Sequence, residues 1–398
     1  MIKKLRVRNF LSLKEADLDL GPRSFLVGPN RSGKSNLVDC LRFLTSMTFS
    51  GLKKAFMDRN GFNEVVWKGP GASRIFLGLT YEVPEHLSPI KKQYQYELSI
   101  LGSPTDLIVA ETEKLDVVIG NERTTLIDLK NGQGKLLHLN GQNAIVAPID
   151  PSSSALEFNV PNWEATTFKL LVSMWRFYRL IPQLMKQPNA VVRQHFLNEN
   201  GDNLSSWLMT IQTAHPDEFK RIKQVAVDVF PGLQEILTPP TQFATTYVST
   251  IEKGLRRPIT SWRMSDGELA FLALLSLIFA PGELGAPLYC VEEPENYLHP
   301  RLIEVLAKIL IQRQRELAPR IAQIVATTHS TWLLNQFGLD ELIAVVKKEG
   351  ATSFRRPGSR EYLKKILESG DLDIGDLFYS GALEEPNEND RADRGRLL

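Results

Sequence analysis

Hydrophobic and polar residues alternate over Ile2–Val7 and Ala16–Leu20, which predicts two short strands. A compact apolar run, Ser24–Val27, predicts a third strand that ends at a glycine. Lys34–Thr48 then takes helical spacing, with Leu37, Leu41 and Leu44 on one face. The texture changes at Arg74–Val83, Gln93–Leu101, Asp106–Ile119 and Thr124–Leu129. These read as strands separated by Gly, Pro, Asn and Ser turns, hence an antiparallel layer. Ser154–Phe230 is mostly helical, with breaks near Pro182 and Pro188, and Thr241–Ile251 and Pro258–Arg263 return to a strand pattern.

From Asp266 onward helices and strands alternate. A helix runs to about Ala280, a strand covers Pro287–Val291, a helix starts at Pro300, and strands follow at Ala322–Thr327 and Leu342–Lys347. Such alternation predicts a parallel sheet, shared by roughly the first 50 and the last 130 residues. The expected organisation is a discontinuous α/β core at 1–60 and 258–384, an antiparallel β layer at 61–150, a helical lobe with its insertion at 151–257, and a disordered polar tail at 385–398. No sustained heptads occur, so no coiled-coil arm is expected.

Composition narrows the picture only modestly. The 398 residues are 43% hydrophobic and 23% charged, as in ordinary globular chains. A formal net charge of +1 provides no global field to draw nucleic acid or membrane. Cys40 and Cys290 lie in apolar segments without metal-binding spacing, as buried residues of a reducing compartment would. The start, MIKKLRVRNF, has no apolar signal segment, and no apolar run reaches the ~18 residues of a membrane span. A cytoplasmic protein without membrane association is the expectation.

The first chemistry-bearing stretch is GPNRSGKS, Gly28 to Ser35, which fits G-x-x-x-x-G-K-[ST] with a strand before it and a helix after it. Glycines let backbone N–H groups wrap phosphates, and the helix beginning near Lys34 turns its positive end toward them. Gly28, Asn30, Ser32, Gly33, Lys34, Ser35 and Asn36 are the candidate nucleotide-binding residues. Lys34 would reach the β- and γ-phosphates of ATP, and Ser35 would offer its hydroxyl to Mg²⁺. A partner strand carrying an acid is then needed. Leu288–Val291 is that strand, and it runs into VEEPENYLHP at 291–300. Three carboxylates this close, Glu292, Glu293 and Glu295, repel one another unless a cation sits among them. Glu292 is expected to face the metal. Glu293, turned the other way by strand alternation, would polarise the attacking water, and Pro294 ends the strand. Glu295 is expected to be a helix-start charge or salt-bridge partner.

Two further segments fall into place beside these. Ser265 can cap the apolar helix that follows it, with Glu268 completing a capping box. The exposed N–H groups of such a cap also bind phosphate. His329, in ATTHS at 326–330, sits at a strand C-terminus, where open α/β sheets bind ligands, and is placed to touch a γ-phosphate.

Together these residues resemble a family. GPNRSGKSN at 28–36, MSDGE at 264–268, VEEPENYLHP at 291–300 and ATTHS at 326–330 are similar, in order and spacing over nearly the whole chain, to the AAA-labelled, ABC-type ATPases related to RecF, SMC and OLD proteins. RNFLSLK at 8–14 resembles the family's first strand and turn, which would put Arg8, Asn9 and Phe10 near the nucleotide. The resemblance implies a P-loop α/β fold of ABC/RecF type, with a mixed central sheet, and a homodimer sandwiching two ATPs. Lys34, Ser35, Glu292, Glu293 and His329 of one subunit would meet Ser265 and Gly267 of the other. It also implies a glutamine contacting Mg²⁺, for which Gln183 is the candidate, and a nuclease or toxin partner as in anti-phage systems. An OLD-type nuclease is not expected in the stretch after Lys347. The expected function is an ATP-hydrolysing dimeric switch in anti-phage defence or DNA maintenance. The alternatives are a nucleotide-gated scaffold with negligible turnover that holds a nuclease or toxin, and a RecF-like DNA repair clamp.

Overall fold

The structure is a computed structural model, and it describes residues 1–84, 88–103, 107–317 and 322–384. The tail at 385–398 lies outside the described residues, as does Asp106. In chain order the strands are β1 (Ile2–Phe10), β2 (Leu13–Asp19), β3 (Arg23–Val27), β4 (Arg74–Glu82), β5 (Lys92–Gly102), β6 (Ile108–Ile119), β7 (Glu122–Lys130), β8 (Gln133–Leu136), β9 (Arg176–Tyr178), β10 (Asn189–Ala190), β11 (Leu233–Leu237), β12 (Thr245–Thr246), β13 (Ser249–Glu252), β14 (Ile259–Thr260), β15 (Leu288–Glu292), β16 (Gln323–Thr328), β17 (Leu342–Lys348) and β18 (Ala351–Arg355). Helices that matter below are α1 (Lys34–Ser50), α2 (Leu52–Met57), α3 (Phe62–Val65), α4 (Glu164–Ser173), α5 (Pro182–Met185), α6 (Leu204–Ala214), α7 (Pro216–Val229), α8 (Asp266–Ile278) and α9 (Pro300–Leu317).

The chain divides into two compact units. The first takes the chain up to Trp175, β16 with His329, and the chain from Gly338. It holds two sheets. One is antiparallel, in the order β2-β1-β4-β5-β6-β7-β8. The other carries β3 between two parallel neighbours, β16 and β17, with β18 antiparallel on the outer side of β17. A strand hydrogen-bonded on both sides reads as a continuous apolar run, and Ser24–Val27 are all buried. Sequence alternation assigned β1 and β2 to the same sheet as β3. They instead pair with each other and with β4 in the antiparallel layer. Gly21 and Pro22 interrupt the ladder between β2 and β3, so the chain leaves one sheet and enters the other. Helix α1 buries Leu37, Leu41 and Leu44 as its spacing predicts, and Phe43 packs edge-on against Phe10 and Phe56.

The second unit runs from Arg176 to the end of α9 and includes Ser330–Phe337. Here β9 lies parallel to β15, pairing Phe177 with Cys290 and Tyr178 with Val291. A small antiparallel sheet has the order β11-β13-β14. Helix α8 is buried almost all round from Leu269 to Leu277. Its Ser276 Oγ accepts from the buried Trp207 Nε1 of α6 (2.9 Å), and Phe271 packs edge-on against Phe230. Both cysteines are free and buried. Among the described residues the longest helix, α9, has 18 residues, which leaves no coiled-coil arm, and no helix is long and apolar enough to cross a membrane.

Candidate functional site

In the first unit the loop Gly28–Gly33 joins the C-terminal end of β3 to α1. The fold needs glycine at both ends of it. A Cβ on Gly28 would collide with the Val345 carbonyl oxygen of β17. Gly33 has φ +105°, and a Cβ there would collide with the Thr352 side chain and stand 2.8 Å from Ser12 Oγ. Gly33 is the N-cap of α1, and no side chain caps that helix. The start of this helix is therefore not closed off by a side chain. Lys34 is only 6% exposed, and its ammonium donates to the Gly28 and Pro29 carbonyl oxygens (2.7 and 3.0 Å), which holds the charge over the loop. Ser32 Oγ is buried and has no hydrogen-bond partner among the described residues. A buried orphan hydroxyl beside such a helix start and a cation is what an anionic ligand would satisfy. Asn30 and Ser35 are exposed at the same loop.

Behind the loop runs a chain of donors that the sequence did not disclose. Asn36 Nδ2 donates to Ser12 Oγ (2.6 Å), Ser12 Oγ lies 2.6 Å from Thr352 Oγ1, and Thr352 Oγ1 donates to the Ser32 carbonyl oxygen (2.8 Å). Thr352 N also donates to the Ser12 carbonyl oxygen (2.8 Å). Ser12 sits in the β1–β2 turn and Thr352 on β18, so the brace joins distant parts of the chain. Ser12 lies within RNFLSLK, where Arg8, Asn9 and Phe10 have partners of their own. Arg8 pairs with Glu15 (2.9 Å), Asn9 Nδ2 donates to the Arg74 carbonyl oxygen (2.9 Å), and Phe10 is buried against α1. Beside the brace lies a cavity of about 360 Å³ lined by Leu11, Ser12, Asn36, Val66, Trp67 and Lys347. His329 follows β16 directly. Since Thr328 pairs with Val27, His329 leaves its strand at the level where Gly28 leaves β3, and it is exposed.

In the second unit β15 ends at Glu292, as Pro294 dictates. Glu293 does not continue the strand alternation. It has φ +48°, a left-handed conformation rare for a residue with a side chain. This turn, rather than the pleat, redirects its carboxylate, and Glu293 Oε2 accepts from Asn296 Nδ2 (2.9 Å). Left-handed non-glycine residues gather at functional sites. Glu295 is buried.

Ser265 caps α8 as its sequence predicts. Ser265 Oγ accepts from Glu268 N (3.2 Å), and Glu268 Oε2 accepts from Ser265 N (2.7 Å). Gly267 is required in its own right, because a Cβ would stand 2.8 Å from the Tyr297 carbonyl oxygen. Gln183, on α5, donates its amide to Asp266 Oδ2 (2.8 Å), and the Lys186 ammonium meets Asp266 Oδ1 (2.7 Å). The Lys186 contact, helped by Gln183, holds the Asp266 carboxyl below its ordinary range. Ser261 Oγ pins the Lys186 carbonyl oxygen from the other side (2.9 Å). The segment from β9 to α5 thus reaches both β15, by strand pairing, and the start of α8, through Gln183 and Lys186.

Residues 23–335 match the family described as "AAA domain, putative AbiEii toxin, Type IV TA system". The chain belongs to this AAA domain family. It is also similar to the Old nuclease of Escherichia phage P2, at 21% identity over 95% of this chain. It spans 64% of that relative's length. Among solved structures, an SMC head bound to the C-terminal winged-helix domain of ScpA aligns with a TM-score of 0.56 at 14% identity, covering 89% of this chain and 97% of the other. The SMC head of Pyrococcus furiosus, bound to the C-terminal domain of ScpA, gives 0.53 at 13% identity, covering 93% and 99%. These structural likenesses show the fold, that of an SMC-type head domain.

Proposed function

We propose that this chain binds and hydrolyses ATP and works as a dimeric nucleotide switch. The observation that carries the reading is the loop at 28–35. It combines a helix start without a side-chain cap, a buried lysine folded over the loop and an orphan serine hydroxyl, which together support a phosphate site. In this reading Lys34 contacts the terminal phosphates, with backbone from Gly28, Asn30, Ser32 and Gly33 around them and Asn36 fixing the loop from behind. The cavity next to Ser12 and Asn36 has room for the rest of the nucleotide.

Ser35 and Glu292 would offer the metal one hydroxyl and one carboxylate. That sparse donor set suits Mg²⁺, which keeps waters and phosphate oxygens as most of its ligands. When bound, Mg²⁺ would neutralise phosphate charge as the leaving group departs. Gln183 enters this proposal as a metal contact through its Oε1, since its Nε2 already donates to Asp266. Glu293 accepts the proton of the attacking water, and His329 donates to a γ-phosphate oxygen. Ser265 and Gly267 meet the phosphate of the opposite subunit, using the α8 amides.

A cytoplasmic setting, a role in anti-phage defence and a nuclease- or toxin-type partner extend the same proposal. They are supported by the family description and by the Old nuclease similarity. The test is ATP turnover by the purified chain and by Lys34→Ala. Intact turnover in the variant defeats the assignment. Binding of ATP without multiple turnover by the wild type would turn it toward a nucleotide-gated scaffold.

A further inference from the structure

We propose that the β13–β14 hairpin is a contact surface for single-stranded nucleic acid. The chain as a whole carries +1, yet the eleven residues KGLRRPITSWR, 253–263, hold Lys253, Arg256, Arg257 and Arg263 and no acid. All four cations are exposed, and none has an acidic partner among the described residues. The acids nearest in sequence do not offset them. Asp266 is occupied by Lys186 and Gln183, and Glu252 sits at the hairpin base opposite Leu233. A solvated face usually mixes signs. A run of one sign with no partner is instead the footprint of a polyanion.

The hairpin is also firmly shaped. Lys253 N donates to the Gly232 carbonyl oxygen (2.8 Å), Leu255 N to Glu252 (3.1 Å), Ser261 N to Val248 (2.7 Å) and Arg263 N to Thr260 (2.8 Å). Gly254, at φ +86°, permits the tight tip. The cations are thus presented on an ordered support.

Aromatic exposure decides which polyanion. Trp262 is 52% exposed and stands next to Arg263, and Leu255 at the tip is 51% exposed. An exposed indole on the same hairpin as exposed arginines suits an unpaired base over a phosphate backbone. Duplex bases are stacked on each other and offer no free face to it. The shared chemistry is a flexible phosphodiester strand, from DNA or RNA.

The experiment is fluorescence anisotropy of labelled oligo-dT and oligo-U of about 20 nucleotides, and a duplex of equal length, against nucleotide-free protein over a salt series. Performed without ATP, it stands or falls separately from the ATPase reading. Wild-type protein should bind at least one single strand, and the two strands separate DNA from RNA as its source. Arg256→Glu/Arg257→Glu should weaken binding more than ~10-fold and lower the salt slope by about 1.4, two contacts at ~0.7 each. Trp262→Ala should weaken it ~5-fold or more with the slope unchanged. Both changes lie at exposed positions, and an unchanged thermal midpoint confirms folding. The proposal is overturned if neither strand binds, if the arginine pair is without effect, or if the duplex binds more tightly and Trp262→Ala changes nothing.

Discussion

The loop at 28–35 and the segment at 265–268 both lead into helices, but they are held in opposite ways. The loop is shaped by buried backbone and buried hydroxyls. Gly28 and Gly33 admit close neighbours, and Thr352 and Ser12 bond beneath it. The α8 start is held by side chains at the surface: Ser265 with Glu268, and Asp266 with Lys186 and Gln183. Buried bonds are costly to leave unmade, whereas exposed ion pairs contribute little to stability. The first region is therefore built to stay in one shape. The second can exchange partners, which suits a surface that engages and releases a ligand or a second subunit.

The largest expected effect is on chemistry. Lys34→Ala should lower ATP turnover by ~10²-fold or more, measured as phosphate release, since it removes a charge aimed at the phosphates. Next, Glu293→Gln should bind ATP while hydrolysing it at least ~10²-fold more slowly. Light scattering should then show its mass doubling only with Mg-ATP. A mass that ignores ATP would break the idea that the α8 start is the exchangeable face. Third, Thr352→Val removes the hydroxyl under the loop, leaving the Ser32 carbonyl and Ser12 hydroxyl short of a partner. It should cost about 1–3 kcal/mol in urea unfolding and weaken ATP binding. A smaller loss, in line with a surface change, would contradict the rigid-loop account.

The buried bracing continues at the far end of α1, where a pH test applies. Glu113 is buried and accepts from Tyr96 Oη (2.9 Å), Ser154 Oγ (2.6 Å) and Ala155 N (2.7 Å). Ser154 N in turn donates to Glu157 Oε1 (2.8 Å), which also accepts from Leu52 N just beyond α1 (2.9 Å). Burial raises the Glu113 carboxyl above its ordinary 4.5. The folded state thus holds this proton more tightly than the unfolded chain. Its contribution is fully present below pH 4.5 and is lost as pH rises through the folded value. Glu113→Gln should flatten that part of the stability–pH profile, read by thermal melts. The smallest effect belongs to Lys186→Met. Stability should change by no more than ~1 kcal/mol, because the pair is half in solvent. Hydrogen exchange at the Asp266–Leu269 amides should nevertheless quicken.

Much of the local geometry of the candidate site was legible without coordinates because it rests on neighbouring residues. A strand, a glycine loop and a helix start within a dozen residues define one another, so Gly28, Gly33 and Lys34 could be chosen from spacing alone. Ser265 and Glu268 are three residues apart and cap the same turn. Pro294 ends β15 wherever that strand lies. The pattern also recovered the antiparallel layer, whose alternation is strong, but it could not say which sheet β1 and β2 would join. Alternation sets which face is buried and leaves the pairing partner open.

The tertiary structure decided what depends on distant partners. Ser12 and Thr352 are 340 residues apart, and no spacing rule relates them. Gln183 reached Asp266 across 83 residues, and the sequence offered no reason to join them. Gly267 looked like a phosphate-binding glycine. Only the fold revealed that the Tyr297 carbonyl already requires it. Glu293 was assigned its direction by strand alternation, yet a left-handed turn sets it. Local backbone chemistry is written in neighbouring residues. Hydrogen-bond partners and close backbone approaches are settled only when the folded chain brings remote segments together.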